Sequence, residues 1–199
     1  MGGNVGNYTA ALLAAYPEAR VVTFEPSATN IDKLTRRFTG DARVTLVPCA
    51  VSDRVGEAQL WADTPGSGLG SLTKRDLSFR NLDFDASETV RTLRFEEYWR
   101  DALEAAPIDI LKLDIEGHEL DALRGAGAAI AHVRAVQFEF GGTNIDTRTY
   151  FKDFWDFFTP RGFALHRITP FGPLHIARYS EREESFTTTN YIAVAKGAA

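Results

Sequence analysis

The chain has 199 residues, 44% of them hydrophobic and 25% charged, with a formal net charge of −5. That length suffices for one domain with a real core, and the composition excludes disordered and fibrous classes. The acidic balance argues against a nucleic-acid partner, which needs a concentrated basic face, and no apolar run reaches the roughly 18–20 residues of a bilayer span. The opening residues lack the basic and apolar leader of a secreted protein. The single Cys49 lies in an apolar, strand-like context. Together these predict a buried thiol in a reducing, cytoplasmic setting.

In chain order, Met1 to Thr9 form a glycine loop running directly into a helix that carries Ala10 to Ala15 and stops before Pro17. Glycines let a backbone approach a ligand closely, and the helix start offers free N–H groups. Arg20 to Pro26 reads as a buried strand ending in Glu25. An acid about twenty residues beyond such a loop stands where a carboxylate reaches a nucleotide ribose. A helix is predicted over 27–38, with Ser27 as N-cap and Ile31, Leu34 and Phe38 along one face. Val44 to Pro48 reads as the next strand, and Ser52 and Asp53 follow it in a turn.

Between Gly56 and Thr92 this rhythm breaks. Two short strands, near Ala58–Ala62 and Val90–Leu93, flank a glycine-rich and then mixed-charge stretch. Long segments of this kind act as lids or substrate-binding elements, so 56–92 is predicted to be one, inside a single domain of 1–199. A helix over Phe95 to Ala105 leads to an apolar strand, Ile108 to Leu113, which ends in Asp114, Glu116, His118 and Glu119 around Gly117. Leu120, Leu123, Gly127 and Ile130 have the spacing of one helix face. Ala135 to Gly142 is a further buried strand, ending in Glu139 and two glycines. Phe151, Phe154, Trp155 and Phe158 form an aromatic core stripe. Two last strands, Ala164–Thr169 and Asn190–Lys196, are joined by a long excursion.

These residues resemble the FkbM-type class I S-adenosylmethionine-dependent methyltransferases. The resemblance is carried by Gly3-Asn4-Val5-Gly6-Asn7-Tyr8-Thr9, Phe24-Glu25-Pro26, Ala50-Val51-Ser52-Asp53 and Gly70-Ser71-Leu72. Its most specific block is Leu111-Lys112-Leu113-Asp114-Ile115-Glu116-Gly117-His118-Glu119. It implies an α/β, Rossmann-like sheet of order 3-2-1-4-5-7-6, with the last strand antiparallel and helices on both faces. It implies that Gly3, Asn4, Gly6 and Asn7 hold the methionine part of S-adenosylmethionine, that Glu25 binds its ribose, and that Ser52 and Asp53 border its adenine. The implied reaction is methylation of a hydroxyl on a sugar or secondary metabolite, so the expected partner is a small hydroxylated acceptor.

Two departures stand out. The family's first strand and its terminal acid would precede Met1, so an amino-terminally shortened fold is expected. Arg94 also stands where the family commonly has Asp.

Methyl transfer from a sulfonium is a direct displacement, which asks the enzyme for alignment and for removal of the acceptor proton. Asp114, His118 and Glu139 are the candidate catalytic residues, Asp114 serving as a contact to the cofactor amino group or as the base. Clustered carboxylates suit a divalent metal, although no motif requires one. Two alternatives remain open. A nicotinamide oxidoreductase would lack the first glycine of G-x-G-x-x-G. A non-catalytic, shortened methyltransferase-fold domain would bind a partner instead.

Overall fold

A computed structural model describes residues 1–197. The chain divides into two compact units, Met1–Leu93 and Arg94–Ala199.

In the first unit the glycine loop turns at Gly6, φ 82°, into helix α1 (Asn7–Ala15). Strand β1 (Val21–Phe24) pairs in parallel with β2 (Val44–Val47), and helix α2 (Ala28–Arg37) connects them. Leu34 of α2 is fully buried and Phe24 nearly so. Ser27 has the extended backbone of an N-cap, but its side chain does not cap α2. Its Oγ is instead buried without a hydrogen-bond partner.

The 56–92 segment is more ordered than its composition suggests. Strand β3 (Ala50–Val51) runs parallel to β5 (Ala86–Leu93), and β4 (Gly56–Ala62) pairs antiparallel with β5 along its whole length. Alternation along β4 and β5 buries Leu60 and Val90 against Ala50 and Leu72, the period-two pattern of a strand with one wet face. Only the residues between these strands form an irregular loop, and Ser71 bridges back to Trp61.

The second unit opens with α3 (Phe95–Ala102). This helix ends before the expected Ala105, because Glu104 and Ala105 take positive φ values of 51° and 55°. Arg94 precedes α3 without capping it, and its guanidinium donates to Glu96 Oε2 at 2.8 Å. Strand β6 (Ile108–Leu113) pairs in parallel with β7 (Val133–Phe140). Beyond β7 lie β10 (Thr189–Ala195), β8 (Phe163–Thr169) and β9 (Gly172–His175), giving the order β6-β7-β10-β8-β9. Strand β10 is antiparallel to both neighbours. Strand β9 was not legible in the sequence; Pro173 and its short length hide it.

The helix expected over Leu120 to Ile130 is two pieces. Helix α4 (Glu119–Gly125) stops, and a 3-10 segment, Gly127–His132, follows. The cause is local: Gly127 sits at φ 48°, and a Cβ there would collide with the Glu96 carboxylate. Glu96 Oε1 accepts the Ala128 N–H at 2.8 Å, taking the place of a continuing helical bond. Leu120, Leu123 and Ile130 are nonetheless all buried.

Two short helices, α5 (Thr143–Thr147) and α6 (Phe151–Phe158), follow β7. Phe151, Phe154 and Phe158 are fully buried, as the aromatic stripe predicts, whereas Trp155 of the same stripe is only half-buried. Phe154 stacks on Phe138 with centroids 4.8 Å apart, and Phe151 meets Tyr191 at 4.7 Å. Each such ring contributes roughly 1.5–3 kcal/mol by burial. The N–H groups of Phe151 and Lys152 donate to Glu184 at 2.7 and 2.9 Å, so a residue from the distant β9–β10 excursion completes the start of α6. Cys49 is a buried free thiol. Among the described residues no helix is long and apolar enough to cross a membrane.

Candidate functional site

The first unit carries a candidate site built on Glu25. The glycine loop folds back onto the end of β1, where Gly2 and Gly3 N–H groups donate to Phe24 O at 3.1 and 3.0 Å. Gly3 is pressed so closely on Thr23 that a Cβ would collide with it, which is why the loop needs glycine there. Asn4 takes a positive φ of 45°. That turn aims its N–H at Glu25 Oε2, 2.7 Å away. Glu25 Oε1 accepts the Ser27 N–H at 3.0 Å, and the Asn30 side chain adds a further hydrogen bond. Glu25 is only 6% exposed. Burial pushes its carboxyl pKa up, while the Asn4, Ser27 and Asn30 donors pull it back.

The other residues expected in this site are placed as follows. Asn7 Oδ1 accepts from Arg37 at 2.7 Å, and the same guanidinium reaches Val5 O, so Asn7 fastens α1 to α2. Gly6 N–H closes the loop on Gly3 O. Ser52 is buried, its N–H donating to Leu93 O. Its hydroxyl donates to Asp53 Oδ1 at 3.2 Å, and Asp53 is ion-paired with Arg54.

The second unit carries an acidic cluster. Asp114, Glu116 and Glu139 present oxygens that all lie within 4.8 Å of one another. Lys112 Nζ lies 2.7 Å from Asp114 Oδ2, supplying a fixed cation to the cluster. Such hard oxygen donors suit a divalent cation, which would have to compete with that ammonium. His118 stands at the start of α4, with Nδ1 3.0 Å from Asp121 Oδ2. It is therefore oriented by a carboxylate, and the carboxylate cluster itself comprises Asp114, Glu116 and Glu139.

What shapes this loop is Glu119, a residue that looks in sequence like an ordinary helix-start acid. It is 1% exposed. Its carboxylate folds back to accept Ile115 N–H at 2.9 Å and Gly117 N–H at 3.1 Å. Burial drives its pKa up against those donors. Glu116 and Gly117 take φ values of 55° and 100°. A Cβ on Gly117 would lie 3.0 Å from both Thr143 O and Thr147 Cγ2, so the turn rests directly on α5. The sequence signal was present, a glycine two residues before an acid at a strand-to-helix turn, but nothing local separates a buried carboxylate from a solvated one.

The chain is a mixed α/β protein whose candidate site pairs a buried strand-end acid with a glycine loop and a helix start. The comparisons give the family. The chain matches the profile described as "Methyltransferase FkbM domain" over residues 1–165, and it belongs to that family. It is 26% identical over 153 residues to "2-O-methyltransferase NoeI" of Sinorhizobium fredii, covering 70% of this chain and 61% of that protein. It is 27% identical over 160 residues to "Methyltransferase sdnD" of Sordaria araneosa, covering 62% of this chain and 58% of that one. The chain thus spans less than two thirds of these relatives' length. A crystal structure of methyltransferase FkbM from Methylobacillus flagellatus shares its fold at a TM-score of 0.57 and 19% identity, with 96% of this chain and 41% of that chain covered.

Methyltransferases of this family imply an S-adenosylmethionine-type cofactor, and the site built on Glu25 fits its nucleoside end. Glu25 offers a bidentate acceptor for a ribose diol, and the orphaned Ser27 Oγ is a buried hydroxyl whose hydrogen-bonding capacity is unspent.

Proposed function

We propose that the chain performs S-adenosylmethionine-dependent O-methylation of a hydroxyl on a sugar or secondary metabolite. The observation that carries this reading is the Glu25 carboxylate, held by Asn4 and Ser27 N–H groups at the mouth of a glycine loop. Glu25 would hold the ribose, Gly3, Asn4 and Gly6 the methionine end, and Ser52 and Asp53 the adenine border. The cofactor, when bound, supplies an electrophilic methyl group.

The chain's own residues then have two tasks. Asp114, Glu116 and Glu139 accept hydrogen bonds from acceptor hydroxyls, and Asp114 takes the proton of the attacking one. A hydroxyl attacks poorly while it keeps its proton, so this removal is worth roughly 10²–10⁴ in rate. The Lys112 ammonium, 2.7 Å from Asp114 Oδ2, holds that carboxylate in place. The name of the Sinorhizobium relative, a 2-O-methyltransferase, supports oxygen as the acceptor atom. Asp114→Asn is expected to cut turnover by roughly 100-fold or more with the melting temperature little changed, measured with labelled methyl donor across a panel of hydroxylated acceptors. Unchanged turnover would end the assignment.

A Rossmann-like sheet lacking its first strand is part of the same proposal. Among the described residues β1 is laddered to β2 alone, and β6 to β7 alone. Each keeps an edge that a further parallel strand can occupy. The order β6-β7-β10-β8, with β10 antiparallel, supports the 4-5-7-6 part of the implied sheet. A chain lengthened upstream through its own reading frame is expected to melt higher and bind S-adenosylmethionine more tightly. Equal behaviour of the two would refute this part.

A further inference from the structure

Around Glu25 lies a set of contacts that the methyl-transfer reading does not use. Asn30, in the first turn of α2, is 2% exposed. Its side chain hydrogen-bonds the Glu25 carboxylate. Its Oδ1 accepts from Lys33 Nζ at 3.4 Å. An ammonium on the oxygen fixes which way the amide points, and leaves the NH₂ group for the carboxylate.

The irregular loop of the 56–92 segment rests on these same residues. Gly66 lies at φ 76°, and a Cβ there would stand 2.7 Å from Thr29 Cγ2 and 2.9 Å from Asn30 Oδ1. A Cβ on Gly68 would stand 3.0 Å from Asn4 Nδ2. Glu88 of β5 reaches the same helix start, accepting the Ala28 N–H at 3.2 Å. Backbone therefore lies directly against two of the three residues whose polar groups hold Glu25.

We propose that Asn30 is the positioning residue of the nucleoside site: its amide orients the Glu25 carboxylate for a ribose diol, and its other side seats the Gly66–Gly68 turn as the cover. This rests on the nucleoside-binding reading above. Asparagine suits the position because it donates to a carboxylate without adding charge. A carboxylate in its place would face Glu25 as a like charge, and the pair would share a proton. The other charged groups by this site are Lys33 and Glu88, which touch Asn30 and the start of α2.

The test compares Asn30→Asp and Asn30→Ala with wild type, using S-adenosylhomocysteine titrations from pH 6 to 9. Gly70→Ala serves as a control, because its nearest neighbour would be 3.6 Å away. Wild type and Gly70→Ala are expected to bind with little pH dependence. Asn30→Ala is expected to weaken binding evenly across the range. Asn30→Asp should lose about tenfold per pH unit as the shared proton leaves, and recover toward pH 6. Wild-type affinity in Asn30→Asp, or a loss as even as that of Asn30→Ala, would overturn the role.

A ligand-free arm separates this from the parent reading: carboxyl ¹³C NMR of Glu25 should show its titration moved to higher pH in both Asn30 variants. If wild type fails to bind S-adenosylhomocysteine but the Glu25 titration moves, the nucleoside reading falls and the positioning role stands. An unmoved titration refutes the positioning role. Should Asn30→Asp not fold, the Asn30→Ala titration alone decides.

Discussion

Glu25 and Glu119 are the same device used for opposite ends. Each is a buried carboxylate that accepts two main-chain N–H groups: Glu119 takes both from the positive-φ turn at Glu116 and Gly117, and Glu25 takes one from positive-φ Asn4 and one from Ser27. Burial raises the pKa of both. The difference lies in their surroundings. Glu119 is spent on its own loop, closing the turn that carries Asp114 and Glu116. Glu25 sits beside an orphaned hydroxyl at Ser27 and near the Gly66–Gly68 turn, and it is there that the proposed ribose contact is placed. A buried acid is thus read by what remains unsatisfied next to it, rather than by its burial.

Removing Glu119 should show the larger effect on folding. Glu119→Ala strands the N–H groups of Ile115 and Gly117, each costing about 1–3 kcal/mol, so a loss of roughly 2–5 kcal/mol is expected in urea unfolding. A variant as stable as wild type would show that Glu119 does not hold its turn. Glu25→Ala should instead weaken S-adenosylmethionine binding by about 1.5–3 kcal/mol, roughly ten- to 150-fold, while costing less stability than Glu119→Ala. Isothermal titration on the folded variant checks this, and equal stability losses in the two variants would count against it.

The smallest effect is in pH. Both carboxyls have folded-state pKa values above their unfolded ones. Their contribution to stability is therefore fully present below the unfolded value and is lost as pH rises through the folded one. Glu119→Gln cannot titrate, and its NH₂ group opposes the main-chain donors. It should be destabilised relative to wild type at acidic pH, with the gap narrowing as pH rises past the Glu119 titration. A gap that widens with pH would reverse the assigned shift.

The sequence disclosed the elements that repeat a simple period. Strands β1, β2, β6 and β7, and the aromatic face of α6, needed only apolar spacing, and the acid at the end of β1 needed only its distance from the glycine loop. What stayed hidden depends on contacts distant in sequence. Helix α4 ends where it does because Glu96, some thirty residues earlier, occupies the space beside Gly127. Asn30 reads as a mediocre helix residue until Glu25 and Gly66 are seen around it. The Asp114–Glu116–Glu139 cluster was half legible: each acid was visible at a strand end, and Lys112 stands two residues before its partner Asp114, but the arrival of Glu139 beside them follows from β6 lying against β7.

The cap that Glu184 places on α6 has a consequence in time. Synthesis runs from the amino end, so the Phe151–Phe158 helix leaves the ribosome more than twenty residues before the carboxylate that completes it. Tyr191, on which Phe151 packs, emerges later still. Until then this stretch is a short, exposed ribbon of aromatic rings, too short to hold a helix unaided. The carboxyl-terminal half of the second unit must therefore assemble in one concerted event after its last strand is made, and the nascent chain is most vulnerable to chaperones and proteases in the interval before it.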